Sequence, residues 1–120
     1  MPMITTNKLI TVDDIPSYWV FETYCNLSEK LTGQNIKIKS VFNPSERTPS
    51  FALFVKDNQY RFNDFSSGKY GSKINFIMYL YNMSFPQAVN KLISDYTNYL
   101  YHNSLDDIRS FKKQAKYKIS

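Results

Sequence analysis

Two short aromatic runs joined by a polar turn constrain the fold of this chain more than any other feature. The runs are Phe-Ala-Leu-Phe-Val at 51–55 and Tyr-Arg-Phe-Asn at 60–63, with Lys-Asp-Asn at 56–58 between them. Aromatic and β-branched residues on both sides of a short polar turn predict a β-hairpin. Period-two alternation separates Phe51 and Leu53 from Phe54 on the first strand. It likewise separates Phe62 from Arg61 on the second, so we expect one face in the core and the other in contact with solvent or a ligand.

A third strand and several helices complete the predicted architecture. Residues 36–39, Ile-Lys-Ile-Lys, alternate apolar and basic side chains and can pair with the hairpin, giving the three strands that an independently stable sheet needs. We predict an α+β domain with a small antiparallel sheet of about three strands, flanked by an N-terminal helix and two or three C-terminal helices. The domain is expected to cover residues 1–103, and residues 104–120 to form a basic C-terminal helix or tail.

The predicted helices are identified by their start signals. Thr11, Asp13 and Asp14 offer N-caps for a first helix, with Pro16 in its first turn. Ser72 can cap a second helix, and Ser-Phe-Pro-Gln at 84–87 is a capping box with proline at the first turn. Ser-Leu-Asp-Asp at 104–107 is expected to open a last helix. Residues 1–10 are expected to form a loose arm or an edge strand.

Two motifs frame the hairpin, Glu-Arg-Thr-Pro-Ser-Phe at 46–51 and Asp-Phe-Ser-Ser-Gly-Lys-Tyr-Gly at 64–71. Together with the apolar helix that follows, they resemble the N-terminal zinc-ribbon domain of bacterial replicative primases. The likeness is closer to the divergent primase-like domains of phages and mobile elements, and it covers about residues 13–96. The resemblance implies a template-binding domain, because nucleotidyl transfer in that family belongs to a separate metal-binding catalytic domain.

The zinc ligands of that family are missing from this sequence. Relatives carry Cys-x-x-His before the first motif and Cys-x-x-Cys after the second strand, and these positions fall on Val41, Pro44, Asp64 and Ser67. A structural zinc needs four thiolate or imidazole ligands, but Cys25 and His102 are the only Cys and His in the chain. The resemblance therefore implies a divergent form without zinc, and we expect neither a metal nor a cofactor. Asp64 is expected to replace the metal crosslink by accepting hydrogen bonds from loop amides.

Charge is distributed unevenly within a net charge of +5. Residues 30–73 contain eight of the basic residues and three acidic ones, whereas residues 1–29 contain one lysine and four carboxylates. Such a split favours a polyanion on one side and a protein partner on another. The alternative is that the lysines only keep an aromatic-rich domain in solution.

From these features we predict a non-catalytic, primase-related subunit or module that binds single-stranded DNA template. It would support primer initiation with a polymerase or primase catalytic subunit in phage or mobile-element replication. The alternative is a protein-interaction adaptor or an inhibitor of a replication protein. Base stacking is assigned to Phe54, Tyr60 and Tyr70, although Tyr60 can instead be buried, and phosphate contacts to Lys37, Lys39, Arg47, Arg61, Lys69 and Lys73. Partner contacts are assigned to one of two surfaces: the acidic N-terminal helix, with Trp19, or the C-terminal helices, with Tyr96, Tyr99, Tyr101 and Phe111.

No catalytic constellation is visible in the sequence, so we expect that the chain is not itself an enzyme. One cysteine excludes an internal disulfide and suits a reducing cytoplasm, where we expect the protein to act. No signal peptide or membrane-spanning run is present, and we expect no membrane partner. The sequence leaves open whether the chain is a free-standing subunit or part of a longer primase.

Overall fold

The computed structural model describes the backbone of residues 9–119 and the side chains of residues 9–104. The antiparallel sheet contains four strands in chain order: β1 (Ile36–Ile38), β2 (Phe51–Lys56), β3 (Gln59–Asp64) and β4 (Tyr70–Gly71). A short 3-10 helix, Val12–Asp14, precedes the three α-helices: α1 (Ser17–Tyr24), α2 (Lys73–Tyr81) and α3 (Phe85–Ile119). This confirms the predicted α+β class, and β4 is an additional two-residue edge strand.

The predicted hairpin is present, and two residues form its turn. Asp57 and Asn58 both have positive φ angles, 55° and 63°. A two-residue loop with this geometry matches the twist of the flanking strands, and Asp and Asn tolerate the left-handed conformation better than bulky residues do. The turn fixes the register, so that Phe54 pairs with Arg61.

The core lies between the sheet and the helices and is built largely from phenylalanine. Phe21, Phe51, Phe62 and Phe76 are each at most 1% exposed. The Phe62 ring lies 5.5 Å from that of Phe51 and 5.4 Å from that of Phe76, within the range of favourable aromatic pairs. α1 and α2 pack on the same face of the sheet, and α3 packs against α2.

The predicted helix starts at Ser72 and Ser84 are confirmed. The Ser72 hydroxyl accepts from the backbone N–H of Asn75, and Ser84 and Gln87 exchange the two hydrogen bonds of a capping box at 2.9 and 3.3 Å. The separate helix expected to open at Ser104 is wrong, because α3 is continuous from Phe85 to Ile119. No Gly or Pro follows Pro86, so nothing in the sequence interrupts the helical backbone there.

The N-terminal helix is divided at a proline. Thr11 caps the 3-10 helix, its backbone N–H donating to Asp14 Oδ2 at 2.9 Å. Pro16 then separates this turn from α1, since a residue before proline, here Ile15, disfavours helical geometry. Leu9 and Ile10 are not in a strand, and the rest of the expected N-terminal arm lies outside the described residues. None of the helices within residues 9–119 has the length and hydrophobicity needed to cross a bilayer.

Candidate nucleic-acid interface

The face of the sheet turned away from the helices, called the outer face below, carries one continuous row of paired residues. Lys37, Ala52, Asn63 and Tyr70 lie side by side across all four strands. Their neighbours in sequence on β2 and β3 point into the core, as the burial of Phe51, Leu53, Phe62 and Asp64 shows. Alternation therefore leaves this row on the solvent side, with Tyr70 70% exposed at its edge.

A second row contains the pair Phe54 and Arg61, both partly exposed. Together with Asn63 and Tyr70 they line a depression of about 220 Å³ on the outer face. Arg61 Nε is buried and has no hydrogen-bond partner among the described residues. An unpaired buried donor costs free energy, on the order of 1–3 kcal/mol. The depression thus contains a guanidinium that the domain itself does not fully satisfy.

Phe65 extends the aromatic surface and was not among the predicted site residues. Its backbone N–H donates to the Ser50 carbonyl at 3.0 Å, which continues the pairing of β3 with β2 by one residue. Its side chain is 65% exposed, and Lys37 Nζ lies 5.8 Å from its ring centre. The signal was available in the sequence: period-two alternation past Asn63 places Phe65 on the same face as Arg61.

Two of the predicted contact residues lie in the interior instead of on the surface. Tyr60 is 5% exposed; its hydroxyl donates to the Gln34 carbonyl and accepts from the Gly33 N–H, each at 2.8 Å. Lys73 is 6% exposed, and its ammonium donates to the Ile15 carbonyl at 2.6 Å. Burial lowers the pKa of Lys73, and both residues in this arrangement stabilise the fold and are not available for stacking or phosphate contacts.

The remaining predicted phosphate contacts are distributed over different parts of the surface. Lys37 is on the outer face, whereas Lys39 and Arg47 are exposed in the loop between β1 and β2. Lys69 lies on the helix side of the sheet, with Nζ 5.5 Å from the Phe42 ring centre and 5.6 Å from that of Tyr79. The structure therefore groups Lys37, Arg61, Phe54 and Tyr70 and separates them from Lys69.

A hydrogen-bond network around Asp64 holds the loops beside this face, as expected from the sequence. The Asp64 side chain is fully buried, and its Oδ2 accepts from Ser40 Oγ at 2.8 Å and from the Ser67 N–H at 3.2 Å. Ser67 Oγ donates to the same oxygen. Asn43 Nδ2 donates to Ser66 Oγ at 3.0 Å and joins the two loops a second time. Serine hydroxyls contribute more of the network than the loop amides that were predicted to supply it.

Glu46 of the first motif anchors the loop before β2. Its Oε2 accepts from the Ser40 N–H at 2.6 Å, and its Oε1 accepts from Ser50 Oγ at 2.7 Å. Ser50 Oγ also lies 3.3 Å from Asp64 Oδ1, so the two carboxylates belong to one network. These hydrogen bonds, led by the one from Ser50, lower the pKa of Glu46.

The predicted partner residues fall on the opposite side of the molecule. Trp19 is 8% exposed and packs edge-on against Tyr96, with ring centres 4.9 Å apart. It also packs at a tilt against Tyr99, with ring centres 5.4 Å apart. Tyr101 is 61% exposed, whereas the side chain of Phe111 lies outside the described residues. Residues of α1 and α3 that were assigned to separate surfaces are therefore in direct contact.

Comparison with known proteins gives one family. The family model of the CHC2 zinc finger, the DnaG zinc ribbon, matches residues 6–107. No curated protein and no solved structure matches the chain.

The residues at the zinc-ligand positions of the family pattern do not fit the metal. Val41 and Pro44 have no ligating atom, and the carboxylate of Asp64 is already an acceptor for Ser40 and Ser67. In the part of the chain that the structure describes, no group of three or more His, Cys, Asp or Glu side chains is placed to hold a metal ion. The loops that wrap zinc in the family are joined here by hydrogen bonds.

Proposed function

Because the chain belongs to the CHC2 zinc finger family, the zinc ribbon of DnaG-type primases, we propose that it binds single-stranded template DNA on the outer face of its sheet. It acts there as a non-catalytic primase-related subunit that supports primer initiation. The setting we infer, from the resemblance to divergent mobile-element domains, is phage or mobile-element replication.

The observation that carries this proposal is the depression containing Phe54, Arg61 and Tyr70. Flat aromatic rings provide stacking surfaces for bases of any sequence, at about 1–3 kcal/mol per base. The guanidinium of Arg61 is partly exposed in the depression and offers charge-assisted donors to a phosphate. Lys37 and Phe65 extend the same combination of cation and ring to the next strand.

The charge of the outer face supports a polyanionic ligand. Its outward strand positions on β1, β2 and β3 contain cations and amides but no carboxylate; they are Lys37, Ala52, Phe54, Lys56, Gln59, Arg61 and Asn63. A positive surface of this kind attracts phosphate by releasing counterions, so binding should weaken steeply with salt.

The family resemblance assigns the chemistry of primer synthesis to a separate catalytic domain or protein. Among the described residues, no group of three or more His, Cys, Asp or Glu side chains is placed to hold the metal ions that nucleotide-polymerising enzymes use. We propose that the domain is docked or tethered to a polymerase or primase catalytic subunit, which carries out nucleotide addition on the template that the outer face holds.

Binding of a fluorescein-labelled oligothymidylate, measured by anisotropy at several salt concentrations, tests the DNA-binding proposal. Arg61→Glu should raise Kd by about tenfold or more, because it reverses charge in the depression. Lys30→Glu is the matched control: the same charge change at a side chain 86% exposed, on the acidic side of the molecule. It should leave Kd within about twofold. Wild-type affinity for Arg61→Glu would exclude the outer face as the DNA site.

Primer synthesis with candidate polymerases, with and without this chain, tests the accessory role. We expect primers only when both proteins are present. Synthesis by this chain alone, or a polymerase indifferent to it, would contradict the proposal.

A further inference from the structure

A groove of about 500 Å³ lies on the helical side of the molecule, between the C-terminal end of α1, the loop that follows it, and α3. Its size is within the range of sites that accept ligands or anchoring side chains. The lining combines aromatic rings with carboxylates and includes Trp19, Tyr24, Tyr99, Glu22, Glu29 and Asp95.

The charge of the groove is opposite to that of the outer face. Three carboxylates and the ammonium of Lys30 line the groove, and Lys91 pairs with one of the carboxylates, Asp95, so one carboxylate remains in excess in a chain whose net charge is +5. The side chain of Lys30 is 86% exposed and only 4.0 Å from Glu22, so it screens the groove weakly. The remaining carboxylate disfavours a phosphate and favours a cationic occupant.

The walls of the groove are held in place by its own residues. Tyr24 donates its hydroxyl proton to Asp95 Oδ2 at 2.5 Å, and burial together with Asp95 raises the pKa of Tyr24, so it remains a donor. Asp95 also pairs with Lys91 at 3.1 Å, and Glu22 accepts from the Leu31 N–H at 2.7 Å. A site with fixed walls loses less conformational entropy when it binds.

The floor of the groove suits a cationic side chain next to an apolar one. The edge-on packing of Trp19 on Tyr96 holds its indole at the groove, beside the partly exposed ring of Tyr99. Aromatic faces attract ammonium and guanidinium groups and also bury apolar surface. Arginine and aromatic contacts of this type are the usual anchors of protein interfaces.

The groove and the outer face are on opposite sides of the core. Phe21 of α1 packs against Phe62, whose side chain points to the helical side of β3. A ligand in the groove would therefore not cover the depression around Arg61. Both sites can be occupied at once.

We propose that this groove is a docking site for a segment of a partner protein that carries Arg or Lys beside an apolar side chain. The proposal goes beyond DNA binding and does not depend on it. It also unites two surfaces, one on α1 and one on α3, that the sequence alone left as separate candidates.

The probe is an acetylated, amidated peptide of three Arg-Leu repeats, with three Glu-Leu repeats as the control of equal apolar content. Trp19 is the only tryptophan, so its fluorescence reports binding at the groove directly. We expect a saturable fluorescence change with the Arg-Leu peptide and none with the Glu-Leu peptide. Amide shifts in NMR spectra should concentrate in residues 22–30 and 95–102.

Asn98→Arg and Thr97→Arg form a matched pair of variants. Both residues are exposed on α3, but only Asn98 lines the groove. Asn98→Arg should weaken peptide binding by about tenfold or more, whereas Thr97→Arg adds the same charge nearby and should change it by less than about twofold. Both variants should keep the oligothymidylate affinity of the wild type.

Three results would overturn the proposal: no saturable binding of the Arg-Leu peptide, equal binding of the Glu-Leu peptide, or equal effects of the two α3 variants. Displacement of the peptide by oligothymidylate would also contradict it, because that would make the groove part of a nucleic-acid surface. A peptide-sensitive dimer in light scattering would identify a second copy of this chain as the occupant and would replace the proposed partner. Arg61→Glu should lose DNA binding and keep peptide binding. This result would show that the groove and the DNA site act independently, so that either proposal can fail without the other.

Discussion

The two faces of the β2–β3 hairpin use similar residue types for different purposes. On the inner face, Phe51 and Phe62 stack with ring centres 5.5 Å apart and are at most 1% exposed. On the outer face, Phe54 pairs with Arg61, both remain partly exposed, and Arg61 Nε has no partner among the described residues. The inner face is complete in the isolated domain, whereas the outer face has a guanidinium nitrogen without a partner and aromatic rings in contact with water.

This difference indicates which residues the fold needs and which it does not. Burial of the inner rings contributes to stability through transfer from water and close packing. The outer rings gain less of both, Phe65 and Tyr70 least of all, and exposed aromatic surface on a sheet is an aggregation risk unless a ligand covers it. Aromatic residues on the outer face are therefore better explained by ligand binding than by folding.

The largest expected difference between the faces is in stability. Phe62→Ala should lower the free energy of unfolding by about 3–5 kcal/mol, because it leaves a cavity among packed rings. Phe54→Ala should cost less, about 1–2 kcal/mol, since its ring is only partly buried and its loss leaves no enclosed cavity. Urea unfolding followed by circular dichroism measures both.

The same pair of variants separates folding from binding. Phe54→Ala should remain folded and lose affinity for oligothymidylate, because a stacking surface is gone. Equal losses of stability in the two variants would mean that the two faces do not differ as described.

Much of this contrast could be predicted from sequence because alternation along a strand is a local property. The spacing of Phe51, Phe54 and Phe62 was enough to assign them to faces, and Ser84 with Gln87 was enough to place a helix start. The zinc positions could also be examined in sequence, since Val41 and Pro44 have no ligating atoms.

The remaining features depend on contacts between distant parts of the chain. Lys73 looked like a surface cation, but its ammonium reaches the Ile15 carbonyl, 58 residues away in sequence. Nothing in the sequence indicates that Ser40 contacts Asp64 or that Trp19 contacts Tyr99. A continuous α3 was missed for a different reason: Ser104 is an acceptable cap, but no helix breaker precedes it.

The hydrogen-bond network around Asp64, at the end of the inner face, is expected to make the next largest contribution to the free energy of unfolding. Asp64→Ala leaves the Ser40 hydroxyl and the Ser67 N–H without their acceptor and should cost about 2–3 kcal/mol. Thr48→Ala, in the exposed part of the loop between β1 and β2, is the control and should stay within about 0.5 kcal/mol. Thermal unfolding compares the variants, and wild-type stability in the presence of EDTA should be unchanged. A stable Asp64→Ala protein would show that the loops do not need this crosslink.

Glu46 should make a smaller, pH-dependent contribution to the same loop. Hydrogen bonds from Ser50 and the Ser40 N–H lower its pKa from the usual value of 4.5. A group with a lowered pKa in the folded state stabilises the fold above its unfolded pKa, and this stability is lost as pH falls through the folded value. Glu46→Gln should therefore be less stable than wild type at pH 7, and the difference should shrink below about pH 4. Urea unfolding between pH 7 and pH 3 tests this, and a constant difference would contradict it.

The smallest expected effect is on the salt dependence of DNA binding. It should distinguish two lysines that differ mainly in the side of the sheet they occupy. Lys37 is exposed on the outer face near the Phe65 ring, whereas Lys69 lies over Phe42 and Tyr79 on the helical side. If DNA follows the outer face, Lys37→Ala removes one phosphate contact and should lower the slope of log K against log salt by about 0.7, the value for one contact with a single strand. Lys69→Ala removes the same charge from the chain but no contact, so its slope should equal that of wild type. Anisotropy titrations at four or more salt concentrations measure the slopes. Equal reductions in the two variants would mean that the strand passes around the β4 edge and contacts both sides of the sheet, which would extend the interface beyond the outer face.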